Sequence, residues 1–205
     1  MQNHSNNFDR FDIFKQILIT SPPNFYLNNQ SWTYRLRSTP AVKPKGRKSG
    51  TPGRFDTALI AEQLGDRERV ASLEGTPRAS HHLMGVKLIM KLLCSGLRVG
   101  QIRVIFTLPV QFTSYPHPLA YVEWFTPLGH PDKLTGMHII TRSTKLHRRN
   151  VAIISVERIV RSCHLVGKCG LNINNDWRTD NVLDLATHFY VNPYINVDSF
   201  TAFKC

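Results

Sequence analysis

The chain is poor in acidic residues and has no long apolar run. Its 205 residues include 14 Asp and Glu against 26 Lys and Arg, a formal net charge of +12. The longest apolar stretch, residues 83–94, contains Lys87 and Lys91 and is too short to cross a bilayer. The first residues lack the cationic and apolar regions of a secretory signal. These absences predict a soluble intracellular protein with no membrane partner, and the positive charge favours a polyanionic partner such as nucleic acid.

Cysteine is scarce too, and its spacing does not suit a metal site. Zinc sites usually need four ligands in pairs with short spacings. Here Cys163 and His164 are adjacent, with only Cys169 nearby, and neighbours on a strand point to opposite faces. The pattern predicts a core cysteine beside a surface histidine, free thiols and no bound metal.

Motifs of catalysis are missing from the sequence. No Ser-His-Asp arrangement, Gly-x-Ser-x-Gly, Walker or dinucleotide pattern occurs. Asp176, Asp180 and Asp184 are spaced by four, which is typical of solvated loop and helix-cap carboxylates, with a magnesium site as the open alternative. We therefore predict a protein that is not an enzyme, with no cofactor and no small-molecule substrate.

The first 54 residues are predicted to form a helix and a basic flexible segment. Residues 8–19 carry apolar side chains at helical spacing. Residues 35–54 hold seven Lys and Arg, no acidic residue, and enough Pro and Gly to disfavour regular structure. Residues 44–48 resemble a minor-groove hook without its closing Pro, so we predict phosphate contacts without sequence preference or a nuclear-import segment. The open alternative is a solvated linker.

From residue 55 onward the patterns indicate a β-rich domain, residues 55–205, interrupted by an insertion at about residues 62–96. Within the insertion, residues 82–95 read as a helix. Residues 55–60 form the first predicted strand of this domain. The next predicted strand is residues 101–108, in which Ile105 alone breaks the alternation of apolar residues. Further strands are predicted at residues 119–126, 137–143 and 188–194.

Residues 152–165 are rich in β-branched side chains and contain no Gly or Pro. Glu157 and Arg158 interrupt the apolar run, which predicts a bend between two short strands. In the second strand Cys163 and Leu165 share one face. We interpret these two strands as the spine of a small β-barrel.

Five strings in this region occur in an order that we recognise: residues 119–127, 136–137, 159–165, 181–183 and 189–194. They resemble the C-terminal module of proteins encoded by fungal Plavaka-type DNA transposons, which are related to CACTA transposases. The resemblance implies a transposon-derived nuclear protein whose partners are DNA, chromatin or a transposase. It also implies no catalysis, because the ribonuclease-H-like core with its three carboxylates lies outside the matching region. The strand order and Ile-Val-Arg-Ser-Cys-His further resemble bromo-adjacent-homology barrels, which implies an SH3-like or bromo-adjacent-homology-like barrel.

One departure from the family is the connection after residues 55–60, which is short in the family and roughly thirty residues long here. Residues 74–95 are therefore interpreted as a retained intron or decayed element sequence.

The function predicted from these observations is that of a non-catalytic, transposon-derived module that binds DNA or chromatin through basic segments. The predicted nucleic-acid-binding residues are Arg35, Arg37, Lys43, Lys45, Arg47, Lys48, Lys145, Arg148 and Arg149. One alternative is a protein-interaction module of a transposase complex, with Tyr121, Trp124 and Tyr190 in the interface; a set of aromatics containing them is typical of a barrel core, or of a methyl-lysine cage. The other alternative is a decayed fragment without function.

Overall fold

The computed structural model describes residues 11–20, 31–63, 96–109, 115, 117–170 and 174–195. This part of the chain is mainly β, as the alternating patterns predicted. The predicted helix at residues 82–95 and the stretch interpreted as an intron lie outside the described residues. The elements are β1 (Asp12–Phe14), β2 (Gln16–Thr20), β3 (Thr33–Thr39), β4 (Arg54–Phe55), β5 (Thr57–Ala61), β6 (Leu97–Thr107), β7 (Leu119–Trp124), β8 (His138–Thr141), β9 (Thr144–Lys145), β10 (Arg148–Arg149), β11 (Val151–Ser155), β12 (Ile159–Cys163), β13 (Leu165–Gly167), α1 (Val182–Leu185) and β14 (His188–Val191).

The largest sheet has the antiparallel order β11–β7–β6–β5–β12. In addition, β1 pairs with the C-terminal end of β6, at residues 105–107. Its two edge strands, β11 and β12, are joined only by the 3-10 turn Val156–Arg158. The four residue steps from Ser155 at the end of β11 to Ile159 at the start of β12 span at most ~14 Å. The two edges of a flat five-stranded sheet would lie ~19 Å apart. The sheet is therefore curled, and Ile154 and Ile159 from opposite edges join one apolar cluster.

The bend predicted at Glu157 and Arg158 is confirmed by this turn. The two strands on either side of it are the edges of the sheet rather than its centre. Among the described residues β11 and β12 do not pair with each other, so no closed barrel is present there.

One face of the large sheet packs against the sheet β2–β3–β4. Ile19 and Leu36 from this smaller sheet are buried with Ile102, Val122 and other apolar side chains of the large one. Residues from both predicted domains thus contribute to this apolar cluster.

The prediction of a helix over residues 8–19 is wrong for the part that the structure describes. Residues 12–14 form β1 and residues 16–20 form β2. β2 pairs with β3 from Gln16↔Arg37 to Thr20↔Thr33. This ladder of backbone hydrogen bonds, with burial of the β-branched Ile19, outweighs the helical spacing of a short segment.

The prediction that residues 35–54 lack regular structure is also wrong. β3 and β4 are the two sides of one hairpin, and bridges Val42↔Thr51 and Lys45↔Lys48 continue it outward. Gly46 has φ +60° and occupies the first central position of the turn, where a glycine is favoured in tight hairpin turns. We call residues 40–53 the basic arm.

The other face of the large sheet packs against the sheet β13–β14–β8. Leu59, Val99, Ile140 and Phe189 form its core with Phe125, whose ring meets that of Phe189 edge-on at 5.5 Å. Cys163 and Leu165 are buried in the same cluster, as their predicted shared face requires.

A β-bulge explains the broken alternation around Ile105. The register of β6 against β7 shifts between Ile102 and Val104, so that Arg103 is the extra residue. Ile102 and Ile105 are three positions apart and both fully buried. The bulge also directs Arg103 toward the side chain of Glu123.

Candidate nucleic-acid interface

Three guanidinium groups surround one carboxylate, that of Glu123 in β7. Arg103 Nη2 donates to Glu123 Oε2 at 3.1 Å, and its Nε lies 3.1 Å from Oε1. Arg142 Nη1 and Arg149 Nη1 donate to the same Oε2 at 3.0 and 2.5 Å. The side chains of Glu123, Arg103 and Arg142 are only 14%, 15% and 14% exposed, so these charges interact with little screening.

Asp184 of α1 completes the group, accepting from Arg103 Nη2 at 2.9 Å and Arg142 Nη2 at 3.3 Å. We call these five residues, Arg103, Glu123, Arg142, Arg149 and Asp184, the Glu123 cluster. Three positive and two negative charges leave the cluster with one positive charge. Charge-assisted hydrogen bonds of this kind are stronger than neutral ones and fix the elements that supply them.

The cluster shifts the pKa values of Glu123 and Arg142. Burial raises the pKa of the Glu123 carboxyl, but the hydrogen bonds and the positive charges of Arg103 and Arg149 together outweigh burial, so its pKa lies below the ordinary value. Burial, and then the charge of Arg149, lower the pKa of Arg142 to about 10. Arg142 is still charged at neutral pH, and it donates further to Leu183 O and Gln101 Oε1 at 2.5 and 2.8 Å.

Aromatic rings stack on two of these arginines. Arg103 Cζ lies 4.8 Å from the centroid of the Phe55 ring, and Arg142 Cζ lies 5.1 Å from that of Phe125. Such cation–π contacts stabilise a desolvated guanidinium. Phe55 belongs to β4 and is paired with Ser38 of β3. We call the end at which a basic hairpin joins the sheets its root. Through Phe55, which follows the basic arm in β4, the root of the arm is in direct contact with the Glu123 cluster.

A second basic hairpin, β9–β10, leaves the same cluster through Arg149. We call residues 144–149 the basic hairpin. Lys145 pairs with Arg148 across a two-residue turn in which Leu146 has φ 52° and His147 has φ 60°. Positive φ at both central residues is the type I′ geometry, which favours Asn-Gly. A left-handed conformation costs a residue such as Leu ~1–2 kcal/mol.

The side chains of the basic hairpin are exposed, and a groove of about 430 Å³ runs along it. The groove is lined by Lys145, Leu146, Arg148, Arg149, Asn150 and Val151.

The predicted nucleic-acid-binding residues divide into three groups in the structure. Lys43, Lys45, Arg47 and Lys48 are exposed on the basic arm, and Lys145, Arg148 and Arg149 are exposed on the basic hairpin. Arg35 and Arg37 alternate with buried residues along β3 and point away from the core. The structure brings the roots of the arm and the hairpin together, although about ninety residues of chain separate them.

The three aromatic residues predicted for a protein interface are not brought together. Tyr121 and Trp124 lie on opposite faces of β7, and Trp124 is 7% exposed within the core. Tyr190 belongs to a different sheet, where it pairs with Val166 and Ile139. Whether any of them binds a protein stays a prediction.

The Glu123 cluster was not predicted from the sequence, although Asp184 was singled out there as a loop or helix-cap carboxylate. Arg103, Glu123, Arg142 and Asp184 come from four separate segments. The available signal was local and weak: Arg103 and Glu123 are charged residues within strands, at positions that alternate with apolar side chains. Such positions are equally compatible with exposure to solvent, so the alternation alone does not indicate that these charges meet a partner.

Burial makes one thiol unreactive, which gives a direct test of the core. Burial raises the pKa of Cys163 to about 12, whereas Cys169 is exposed. The thiolate is the reactive form, so we expect a maleimide at neutral pH to modify Cys169 in the folded protein and Cys163 only after unfolding. Peptide mass spectrometry of native and urea-unfolded samples measures both. Equal labelling of the two thiols in the native sample would contradict this burial.

No group of three His, Cys, Asp or Glu side chains in the described ranges is arranged to hold a metal ion. The described residues also contain no helix with the length and apolar character needed to cross a membrane. Comparison with family models, with curated proteins and with solved structures finds no match for this chain.

Proposed function

We propose that this protein is a non-catalytic module that binds duplex DNA through the basic arm and the basic hairpin. The observation that carries the proposal is the common root of these two elements. Phe55 contacts Arg103 at 4.8 Å, Arg103 contacts Glu123 at 3.1 Å, and Glu123 contacts Arg149 at 2.5 Å. The basic arm and the basic hairpin, which we call the two basic projections, are fixed at one place and can therefore contact the phosphates of the same duplex.

The outer cations of both projections are available to phosphates. Lys43, Lys45, Arg47, Lys48, Lys145 and Arg148 form no ion pair with a carboxylate within the described part of the chain. A side chain without a protein partner loses only counterions and water when it meets a phosphate, and the release of condensed counterions from DNA drives binding.

The inner arginines have a different part in this proposal. Arg103 and Arg142 are occupied by Glu123, Asp184 and the carbonyl oxygen of Leu183. They hold the roots of the projections in place. Arg149 links the two sets, because it pairs with Glu123 while its side chain is 45% exposed.

We also propose the finer assignment of fold and origin, namely an SH3-like or bromo-adjacent-homology-like barrel from a Plavaka-type transposon that acts in the nucleus on DNA or chromatin. The curled sheet, whose edge strands are joined by the turn Val156–Arg158, supports a barrel-like arrangement. The ordered strings in residues 119–194 support the family.

The test is the salt dependence of binding to a labelled duplex, measured by fluorescence anisotropy with the full-length protein. Six phosphate contacts, four from the arm and two from the hairpin, give a slope of about −5 for log K against log[salt]. Between 50 and 200 mM salt the affinity should then fall about 10³-fold. Absence of binding, or binding that is insensitive to salt, would contradict the proposal.

A further inference from the structure

The tip of the basic hairpin carries an apolar side chain where a polar or small one is expected. Leu146 is 86% exposed and lies at the first central position of the turn, with φ 52°. Asn-Gly is the favoured pair in such a turn because both central residues need positive φ. Here Leu and His occupy the two positions. Unfavourable backbone geometry combined with an exposed leucine points to a role for the side chain outside the fold.

The surroundings of Leu146 identify the partner. Lys145 and Arg148 flank the turn directly, and Arg149 follows. An uncharged apolar patch on another protein gains nothing from this density of positive charge, whereas the phosphate backbone of DNA is attracted by it. Proteins that bend DNA from the minor groove use the same combination, in which cations hold the phosphates and an apolar side chain separates two base pairs.

The hairpin is also held firmly enough to act in this way. Arg149 pairs with Thr144 in the strand ladder and donates to the nearly buried carboxylate of Glu123 at 2.5 Å. A wedge must keep its position while it separates stacked bases, so a fixed base is required. The two-residue turn is the narrowest connection between strands, and a narrow tip suits the minor groove, which is ~6 Å wide.

We propose that Leu146 is an apolar wedge that enters a base-pair step from the minor groove and kinks the duplex, while Lys145 and Arg148 hold the phosphates on either side. The proposal rests on the DNA binding proposed above. It deepens that function by naming duplex deformation as what the hairpin adds to phosphate contacts. Steps that unstack easily, above all TA, should be the preferred sites.

The experiment measures binding and bending separately on the full-length protein. A duplex of about 30 base pairs with a central TA step carries a dye at each end, and energy transfer between the dyes reports a bend of roughly 20–90°. Anisotropy on the same duplex reports affinity. We expect the wild-type protein to increase energy transfer, with a smaller increase on a duplex that lacks TA, CA and TG steps.

Two variants remove the wedge. Leu146→Ala shortens the side chain, and Leu146→Asn/His147→Gly installs the favoured turn pair and so keeps the hairpin folded. Both should lose the increase in energy transfer. Both should keep affinity within about threefold, because the lost apolar contact and the avoided cost of unstacking offset each other. Leu134→Ala is the matched control, since Leu134 is a 95% exposed leucine outside both basic projections and its loss should change nothing.

The outcomes separate this proposal from the one it rests on. If the wild-type protein does not bind the duplex, DNA binding and the wedge both fail. If it binds without any increase in energy transfer, or if both Leu146 variants bend the duplex as the wild type does, the wedge is overturned and DNA binding stands. Loss of bending in Leu134→Ala would equally overturn the assignment of Leu146.

Discussion

Replacing Glu123 by Ala is expected to lower the free energy of unfolding by about 3–5 kcal/mol, the usual cost of removing one partner from a buried ion pair. The substitution leaves Arg103 and Arg142, which are 15% and 14% exposed, close to each other and to Arg149. Of the cluster's carboxylates only Asp184 remains, and it is 47% exposed. Urea unfolding followed by circular dichroism measures the change.

One further variant separates the charge of Glu123 from its shape, and a second variant serves as the control. Glu123→Gln keeps the shape of the side chain and removes its charge, so it should lose most of the unfolding free energy that Glu123→Ala loses. Glu157→Ala is the matched control, because Glu157 also pairs with a basic side chain, His117 at 2.9 Å, but is 46% exposed. An exposed pair contributes about 0–1 kcal/mol. If the Glu123 and Glu157 variants lost equal unfolding free energy, the Glu123 cluster would not stabilise the fold more than an exposed ion pair does.

The pH dependence of the same variants follows from the direction of the pKa shift. The folded pKa of Glu123 lies below its ordinary value of 4.5, because the hydrogen bonds and the positive charges of Arg103 and Arg149 together outweigh the effect of burial. The unfolded state therefore binds the proton more readily. The stabilisation is fully present above the unfolded pKa and is lost as pH falls through the folded pKa. We expect the stability difference between wild type and Glu123→Gln to be constant near neutral pH and to shrink below about pH 4.5.

The strands that the sequence predicted well are those whose burial alternates. In β7, Ala120, Val122 and Trp124 are buried and their neighbours are less so, and this pattern is visible without knowledge of the partner strands. The error at residues 8–19 has the opposite cause. β1 and β2 are three and five residues long, and their strand conformation comes from pairing with β6 and β3. Short segments with several exposed apolar residues carry too little local signal to show which pairing will form.

The candidate site also contains some features that the local sequence indicates and others that only the fold brings together. The cations of the basic arm and the basic hairpin are exposed, because runs of Lys and Arg are not buried without partners, and their contact with DNA stays a prediction. The Glu123 cluster was not predicted. Its members join β6, β7, the residue after β8, β10 and α1. One sequence shows that a charge lies within a strand, but it does not show which distant charge will meet it.

Removing three charges from the tip of the basic arm is expected to weaken DNA binding by roughly 10²–10³-fold at 0.1 M salt, since each lost phosphate contact removes ~0.9 from the slope of log K against log[salt]. The variant is Lys45→Ala/Arg47→Ala/Lys48→Ala. All three side chains are exposed, and the tip is held by backbone hydrogen bonds between Lys45 and Lys48, so the fold should be unaffected. Anisotropy titrations at several salt concentrations give both the affinity and the slope, which should become shallower by about 2.7.

The matched control removes the same charge from elsewhere on the surface. Lys133, Lys168 and Arg178 are exposed and lie outside both basic projections. Replacing all three by Ala lowers the net charge by the same amount. If the arm contacts phosphates directly, the control should keep its slope and stay within about threefold of the wild-type affinity, because charges that touch no phosphate act only through a field that salt screens within ~10 Å at 0.1 M. Equal weakening by the two triple variants would mean that binding depends on total charge alone, and the basic arm would lose its place in the proposed interface.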